Sequence, residues 1–316
     1  MSAPVFEVND SLFEQDPKLI IQSIVAYPDR YFTPGFDVAV RDGMRQVAFR
    51  QNLASTGPFP IPLLIAAIES EDTEEWLLHR FMEGLENAFP DAVNGVYPII
   101  QTLEPPLHTA VRVGRADAVR TLLSSPNSNP ATRYTQEHST LTGDCRLSGS
   151  AHPDPCDPNL FQSPCLAASE YAIECFSRAE AGSQLQKNIE SAALIFVAAG
   201  KFPAPLNDDC HVVPSFKTAL KSGMNKYVSA ALNRILNAPP SDTHRRRLFE
   251  RGLERILYQA AKAMESSPIV REILDLSTKY NIFPIPPNPA SLGVNPIASA
   301  LKQTHADNAC MISNFI

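Results

Sequence analysis

The sequence predicts an all-α protein, and two observations support this fold class. Apolar side chains recur at i, i+3 and i+4 in each segment that shows a regular pattern, which is the period of one buried helix face. The chain also has 28 Pro and only 13 Gly, and Pro is favoured in the first turn of a helix. Together these features predict many short helices that begin at prolines.

The composition narrows the classes of function. Lys and Arg number 27 and Asp and Glu number 34, so the formal net charge is −7, which argues against a general nucleic-acid or anionic-membrane binder. Hydrophobic residues make up 44% of the 316 positions, which is enough for a sizeable core and excludes global disorder. No apolar run approaches the ~18 residues of a membrane span.

The N-terminal segment and the cysteines bear on localisation. Residues 1–10 contain neither the basic region nor the apolar region of a secretory signal. Six cysteines in a long apolar chain are not needed as a disulfide scaffold, so we expect reduced thiols. We therefore expect a cytoplasmic or nuclear protein that is not secreted and does not bind a membrane.

The first segments with the helical pattern lie near the N-terminus. Residues 35–43 read GFDVAVRDG, and their AVR-x-G ending recurs at 110–114. Residues 62–78 begin with PLLIAAIES and end in Trp76, Leu77 and Leu78. This second pattern predicts one helix after Pro62 and another that ends in paired leucines.

The clearest pattern covers residues 105–123, which read PPLHTAVRVGRADAVRTLL. It predicts two short helices that each bury one stripe. Pro106 suits the first helical turn, and Gly114 suits a left-handed C-terminal cap. The expected buried positions are Leu107, Ala110, Val111, Val119, Leu122 and Leu123.

Four later segments repeat parts of this pattern. Ser163 before Pro164 predicts a helix start, and a partner helix over 188–199 is expected to end at Gly200. Residues 215–232 follow the same spacing as the clearest unit. After Pro239 and Pro240, Ser241 or Asp242 can cap the next helix. Two more units are expected at 257–274 and from 296 onward.

Residues 124–164 interrupt the helical pattern. They contain many Pro, Ser, Thr, Asn and Asp and almost no apolar periodicity, which predicts a long surface loop that is dispensable for folding. The expected organisation is a single domain over residues 1–316 that carries this Pro/Ser-rich loop.

The unit at 105–123 resembles an ankyrin repeat. That family has the motif T-P-L-H-x-A, then a Gly turn and a second helix that ends in paired leucines. The matching residues here are Pro106, Leu107, His108, Ala110, Gly114, Val119, Leu122 and Leu123. Pro105 replaces the leading Thr, and the segments start at uneven intervals, whereas a regular ankyrin array steps by about 33 residues.

The resemblance implies an irregular ankyrin-like α-solenoid of about six to seven helical hairpins. It also implies that His108 is structural and ties one repeat to the next by hydrogen bonds. An irregular helical array of the HEAT or armadillo kind is the alternative, since those units run about 40–47 residues.

Motifs that would indicate catalysis are weak. No G-x-S-x-G, H-E-x-x-H, C-x-x-C or G-x-G-x-x-G occurs. His152, Asp154 and His211 have the order of an iron-binding triad, but the first two lie in the Pro-rich loop. Cys210 beside His211 is a weak candidate for a nucleophile. A second set could supply zinc ligands with no familiar spacing, namely Cys145, His152, Cys156 and Cys165.

The densest basic run is Arg245, Arg246 and Arg247, with Arg251 and Arg255 following. This run is either a solvated helix face or a functional segment, which would be a nuclear-import signal or a phosphate contact. No metal, cofactor or catalytic residue is assigned from the sequence.

Two functions remain open. The first is an intracellular protein–protein interaction module, an adaptor or transcriptional co-regulator, because ankyrin proteins mostly bind other proteins. The second is an enzyme or small-molecule binder built on a degenerate repeat fold. A deep apolar cavity would favour the second function and a shallow open groove the first.

A basic ladder is the predicted contact surface. When the units are aligned on their shared Ala, the second residue after it is Arg41, Arg112, Lys221 or Lys302 in four of them. In ankyrin proteins this position faces the concave side, so the resemblance implies a row of cations for an acidic protein partner. The alternative is that each cation offsets the dipole at the end of its helix.

Overall fold

The computed structural model describes residues 17–31, 63–70, 73–88, 104–134, 166–209, 211–237, 243–263 and 268–279, and positions 5, 7, 15, 94, 307, 310 and 312. Helices account for 72% of these residues, which confirms the all-α class for this part of the chain. None of the helices within these ranges combines the length and apolar character needed to cross a bilayer.

Contacts divide the chain into two compact units, Met1–Tyr171 and Ala172–Ile316. The described helices of unit 1 are α1 Pro17–Ala26, α2 Pro28–Tyr31, α3 Leu63–Glu69, α4 Glu75–Ala88, α5 Pro106–Arg112 and α6 Ala116–Ser124. Helix α3 packs against both α1 and α5, and α4 packs against α6. First helices therefore stack on first helices, and second helices on second helices.

The boundary between the units falls inside α7, Ala168–Arg178. The remaining described helices of unit 2 are α8 Gln184–Ala198, α9 Pro214–Ser222, α10 Asn225–Leu236, α11 Thr243–Ala263 and α12 Pro268–Lys279. Helix α10 packs against α8 and α12, and α9 packs against α11. The same mode of stacking thus recurs within unit 2. Its largest fully buried side chains include Phe196, Phe216 and Tyr227.

Three helices end in the same glycine turn. Gly114, Gly200 and Gly223 have φ of 74°, 71° and 76°, the left-handed region in which glycine is favoured. After α5, for example, Gly114 N donates to Val111 O at 3.0 Å and Arg115 N donates to Ala110 O at 2.8 Å. These bonds satisfy the last carbonyls of the helix. The predicted caps at Gly114 and Gly200 are therefore confirmed.

Short antiparallel pairings connect one hairpin to the next. Strand β1, Arg133–Tyr134, pairs with β2, Leu166–Ala167, and a single bridge joins Leu206 to Val212. Each pairing follows a second helix and precedes a first helix. Besides the helices, the described residues contain these extended pairings, which are too short to change the fold class.

The predicted unit at 163–200 differs from the expectation at both of its helices. Its first helix begins at Ala168 rather than near Pro164, because residues 166–167 are extended in β2 and the Glu170 carboxylate accepts from Ala167 N at 3.2 Å. Its second helix begins at Gln184, ahead of the predicted start at 188. Ser183 caps it, since its Oγ accepts from Gln186 N at 3.1 Å.

Three further helices differ from the sequence prediction. Helices α1 and α2 form a hairpin that the repeat pattern missed. Helix α11 runs for 21 residues, so the first helix of the unit predicted at 257–274 starts at Thr243, directly after the predicted caps. The predicted units at 35–43 and from 296, and residues 135–165 of the loop, lie outside the described residues.

Candidate functional site

Arg112 of the predicted ladder lies in the last turn of α5, between two carboxylates. Its Nε donates to Glu104 Oε2 at 2.9 Å, and its Nη2 donates to Glu69 Oε1 at 2.7 Å. Burial alone would lower the pKa of Arg112, but the charges of Glu104 and Glu69 and their hydrogen bonds raise it above its ordinary value. This cation therefore joins α5 to α3 in the preceding hairpin.

Glu104 connects this ion pair to the start of α7. Its Oε1 accepts from the Tyr171 hydroxyl at 3.1 Å, and its Oε2 also accepts from Thr109 Oγ1 at 3.1 Å. Both carboxylate oxygens are thus occupied by donors of this chain. The cluster holds α5 in place, and Arg112 balances one of its two carboxylate charges.

His108 is the buried centre of the same region. It is 1% exposed, and its Nε2 lies 3.0 Å from Leu166 O in β2. Because a carbonyl only accepts, Nε2 carries the proton and Nδ1 is an acceptor, which finds no donor among the described residues. Burial lowers the pKa of His108 to about 4, although the hydrogen bond to Leu166 acts in the opposite direction.

The expected structural role of His108 is confirmed by this bond, which ties α5 to the strand that leads into α7. Its ring also meets Tyr134 and Tyr171, at centroid distances of 5.5 Å and 5.3 Å. The two tyrosine rings meet edge to face at 6.2 Å. A neutral, enclosed imidazole packed between two rings stabilises the fold and is not placed to act on a substrate.

Arg115 joins α6 to the preceding hairpin. Its Nη1 donates to Ser70 O at 2.6 Å, and its Nη2 donates to Thr73 O at 2.7 Å. The same guanidinium pairs with Asp117. Burial alone would raise the pKa of Asp117, but the hydrogen bond and charge of Arg115 outweigh it and lower the pKa. Arg115 therefore satisfies carbonyls in the turn between α3 and α4.

Lys221 of the predicted ladder lies in the last turn of α9, in unit 2. It is exposed, and its ammonium makes no hydrogen bond or ion pair with a described residue. Arg41 and Lys302 lie outside the described residues. The ladder as a partner-binding row stays a prediction, and its two described members differ in whether their charge is used within the chain.

His211 serves as an anchor in a turn of unit 2. Its Nδ1 accepts from Arg255 Nη1 at 3.1 Å, and Arg255 Nη1 also donates to Asp209 O at 3.0 Å. These bonds fasten the turn between Leu206 and Val212 to α11. Cys210 lies outside the described residues, so the pairing of its thiol with His211 stays a prediction.

The weak metal patterns stay predictions, and only His211 of them lies within the ranges that the structure describes. No group of three His, Cys, Asp or Glu side chains there could hold a metal ion. The zinc candidates Cys145, His152, Cys156 and Cys165, and Asp154 of the iron pattern, lie outside those residues.

An open groove of about 470 Å³ lies between α10 and α12 in unit 2. Its lining is mostly polar or charged: Asn233, Pro268, Arg271, Glu272, Asp275, Leu276 and Lys279. Within it, the Ser229 hydroxyl donates to Glu272. Because the groove is open and its walls carry charged side chains, a group bound there would stay exposed to water.

Sequence reasoning found His108 and Arg112 but missed Glu104, Tyr134 and Tyr171. These three residues come together from distant parts of the chain, and no local spacing marks them. Comparison with protein-family models, with curated proteins and with solved structures finds no match for this chain. Its function therefore has to follow from its own residues and their geometry.

Proposed function

We propose that the chain is a protein-interaction module, built as an irregular ankyrin-like solenoid, that binds an acidic partner in the cytoplasm or nucleus. The observation that carries this proposal is the stacking of hairpins within each unit, first helix on first helix and second on second. Stacked hairpins contact only their neighbours and leave long exposed faces, which is the arrangement that repeat proteins use to bind other proteins.

Recurrent connections support the repeat interpretation. The glycine turns at Gly114, Gly200 and Gly223 share one conformation, and a short antiparallel pairing precedes both α7 and α9. His108 and Arg115 each bridge one hairpin to its neighbour. Such repeated use of the same devices is expected where each unit stabilises the next.

The described groove favours binding of a protein over chemistry on a small molecule. Enzyme sites are usually concave, mostly apolar and enclosed, with a few converging polar groups. The groove between α10 and α12 is open and carries both signs of charge. The buried polar cluster around His108 and Glu104 is held together by hydrogen bonds within this chain.

The partner's acidic character is inferred from Lys221. This exposed cation has no partner within the described residues, so its charge is available to another molecule. Arg112 is already paired with Glu69 and Glu104, so its reversal to Glu would place three carboxylates together and destabilise unit 1. For that reason Lys221, and not Arg112, is the residue with which to test binding.

The experiment uses the full purified chain as bait in an extract of cells that express it, with mass spectrometry of the retained proteins. An unrelated immobilised protein of similar net charge is the control. We expect a specific partner that forms a stoichiometric complex when both purified proteins are mixed and measured by calorimetry. The proposal is wrong if no such complex forms and a cellular small molecule instead raises the melting temperature of the chain.

A further inference from the structure

The hairpin formed by α9 and α10 carries positive charge only. Residues 214–236 contain no Asp or Glu, and their four cations are Lys217, Lys221, Lys226 and Arg234. This is unusual in a chain of net charge −7. The two units differ accordingly: unit 1 has 11 Lys and Arg against 22 Asp and Glu, and unit 2 has 16 against 12.

These four cations are not neutralised by the described part of the chain. Lys221, Lys226 and Arg234 are exposed, and Lys217 is partly exposed. Their side chains make no hydrogen bond or ion pair with a described residue. The carboxylate of Glu190 approaches this hairpin, but its Oε1 accepts from the backbone N–H of Lys226 at 2.9 Å.

In unit 1, several cations are paired with groups of the same unit. Arg112 and Arg115 are held by carboxylates and carbonyls, and Arg80 pairs with Glu83 at 3.5 Å. A positive charge that is already paired within the chain contributes little to the electrostatic potential at an approaching molecule. Among these cations, those of the α9–α10 hairpin are therefore the ones whose charge the described residues leave unpaired.

We infer that the α9–α10 hairpin binds an acidic segment of a protein partner through Lys217, Lys221 and Lys226, beside the turn at Gly223. This inference rests on the proposed function and assigns the acidic contact to one hairpin instead of a row along the chain. Lys217 and Lys221 are one helical turn apart, about 5–6 Å between Cβ atoms. That spacing suits carboxylates one turn apart on an acidic helix.

The aromatic residues of the hairpin favour a protein over a nucleic acid as the acidic ligand. Proteins that bind single strands combine basic side chains with exposed aromatic rings on which bases stack. Phe216 and Tyr227 are both 0% exposed and cannot supply such a platform. Without a stacking platform, the lysines of this hairpin act only as point charges toward an anionic group.

The test measures binding of the full chain to a fluorescein-labelled twelve-residue polyglutamate peptide by fluorescence anisotropy at about 50 mM salt. The variant K217E/K221E/K226E is expected to bind at least about tenfold more weakly. The matched control is K187E/K201E/K262E, which reverses three exposed lysines elsewhere in unit 2. We expect the control to weaken binding by less than about threefold, because it changes only the overall charge.

Circular dichroism establishes that both variants are folded, and K217Q/K221Q/K226Q replaces the first variant if it is not. Equal loss in the two triple variants, or no binding of the peptide by the unaltered chain, would overturn the inference. Tighter binding of a twelve-nucleotide oligo-dT, lost in the same triple variant, would overturn it in favour of a nucleic-acid surface. If the peptide fails while a protein partner is still captured by the bait, the proposed function stands and only this inference falls.

Discussion

His108 makes the stability of unit 1 depend on pH in a way that can be calculated. The native imidazole is neutral and buried, and its pKa is lowered from 6.5 to about 4. In the unfolded chain the same side chain takes up a proton near its ordinary pKa. As the pH falls below 6.5 the unfolded state binds more protons than the native state, so stability is lost until the native imidazole also protonates.

The expected magnitude follows from the two pKa values. At 1.36 kcal/mol for each pKa unit, the whole effect is about 3 kcal/mol and is complete below about pH 4. Between about pH 8 and about pH 5.5, the calculated loss is about 1.4 kcal/mol. With a urea dependence of about 2 kcal/mol per molar, the unfolding midpoint should fall by about 0.7 M over that interval.

Urea titration followed by tryptophan fluorescence isolates this effect. The chain has one Trp, and Trp76 lies in α4, so its emission reports the unfolding of unit 1. The control is His108→Gln, whose amide N–H can still donate to Leu166 O but does not titrate. The wild type should lose about 1.4 kcal/mol more than this variant. Parallel losses in the two proteins would refute the assignment of a neutral, buried His108.

Three further outcomes are expected. Arg115→Met should destabilise unit 1 by about 2 kcal/mol, because the carbonyls of Ser70 and Thr73 lose their donor. Its control, Arg120→Met, removes an exposed ion pair at 4.0 Å and should cost under about 0.5 kcal/mol. Tryptophan fluorescence in urea measures the free energy of unfolding of both variants. Gly252→Ala places a Cβ 2.4 Å from Leu206 Cδ1 and should cost about 1 kcal/mol, measured by thermal circular dichroism, with no loss refuting the close approach. Replacing residues 135–165 by a short Gly/Ser linker should keep the melting temperature within a few degrees, and a large drop, or metal detected by elemental analysis of the intact protein, would show that the loop is structural.

Several helix ends could be predicted from sequence because backbone chemistry marks them. Pro106 begins α5, and Gly114, Gly200 and Gly223 occupy left-handed turns after α5, α8 and α9. These residues act on the backbone at their own positions, so their effect does not depend on the rest of the fold. At Pro164 the predicted helix start was too early, because Leu166 pairs in a strand and the helix begins only after it.

Of the buried cluster, only His108 could be predicted from the sequence, because it occupies a position of the ankyrin-like motif. Glu104, Tyr134 and Tyr171 are brought to it by the packing of α5, β1 and α7. Their identity depends on which segments meet in three dimensions, and no periodicity within one helix carries that information. The unpaired acceptor Nδ1 and the lowered pKa of His108 follow from this packing and could not be derived from the sequence.

The ladder shows why an aligned position is not by itself a binding residue. Arg112 and Lys221 stand at the same place in their helices, yet Glu69 and Glu104 pair with the first, and no described carboxylate pairs with the second. The difference lies in the nearby carboxylates: Glu69 and Glu104 contact Arg112, whereas the hairpin that carries Lys221, residues 214–236, contains no Asp or Glu. A cation in a repeat is available to a partner only where its own chain supplies no carboxylate within reach. By that criterion the acidic partner is expected at Lys221 and its neighbours, and the guanidinium of Arg112 belongs to the fold.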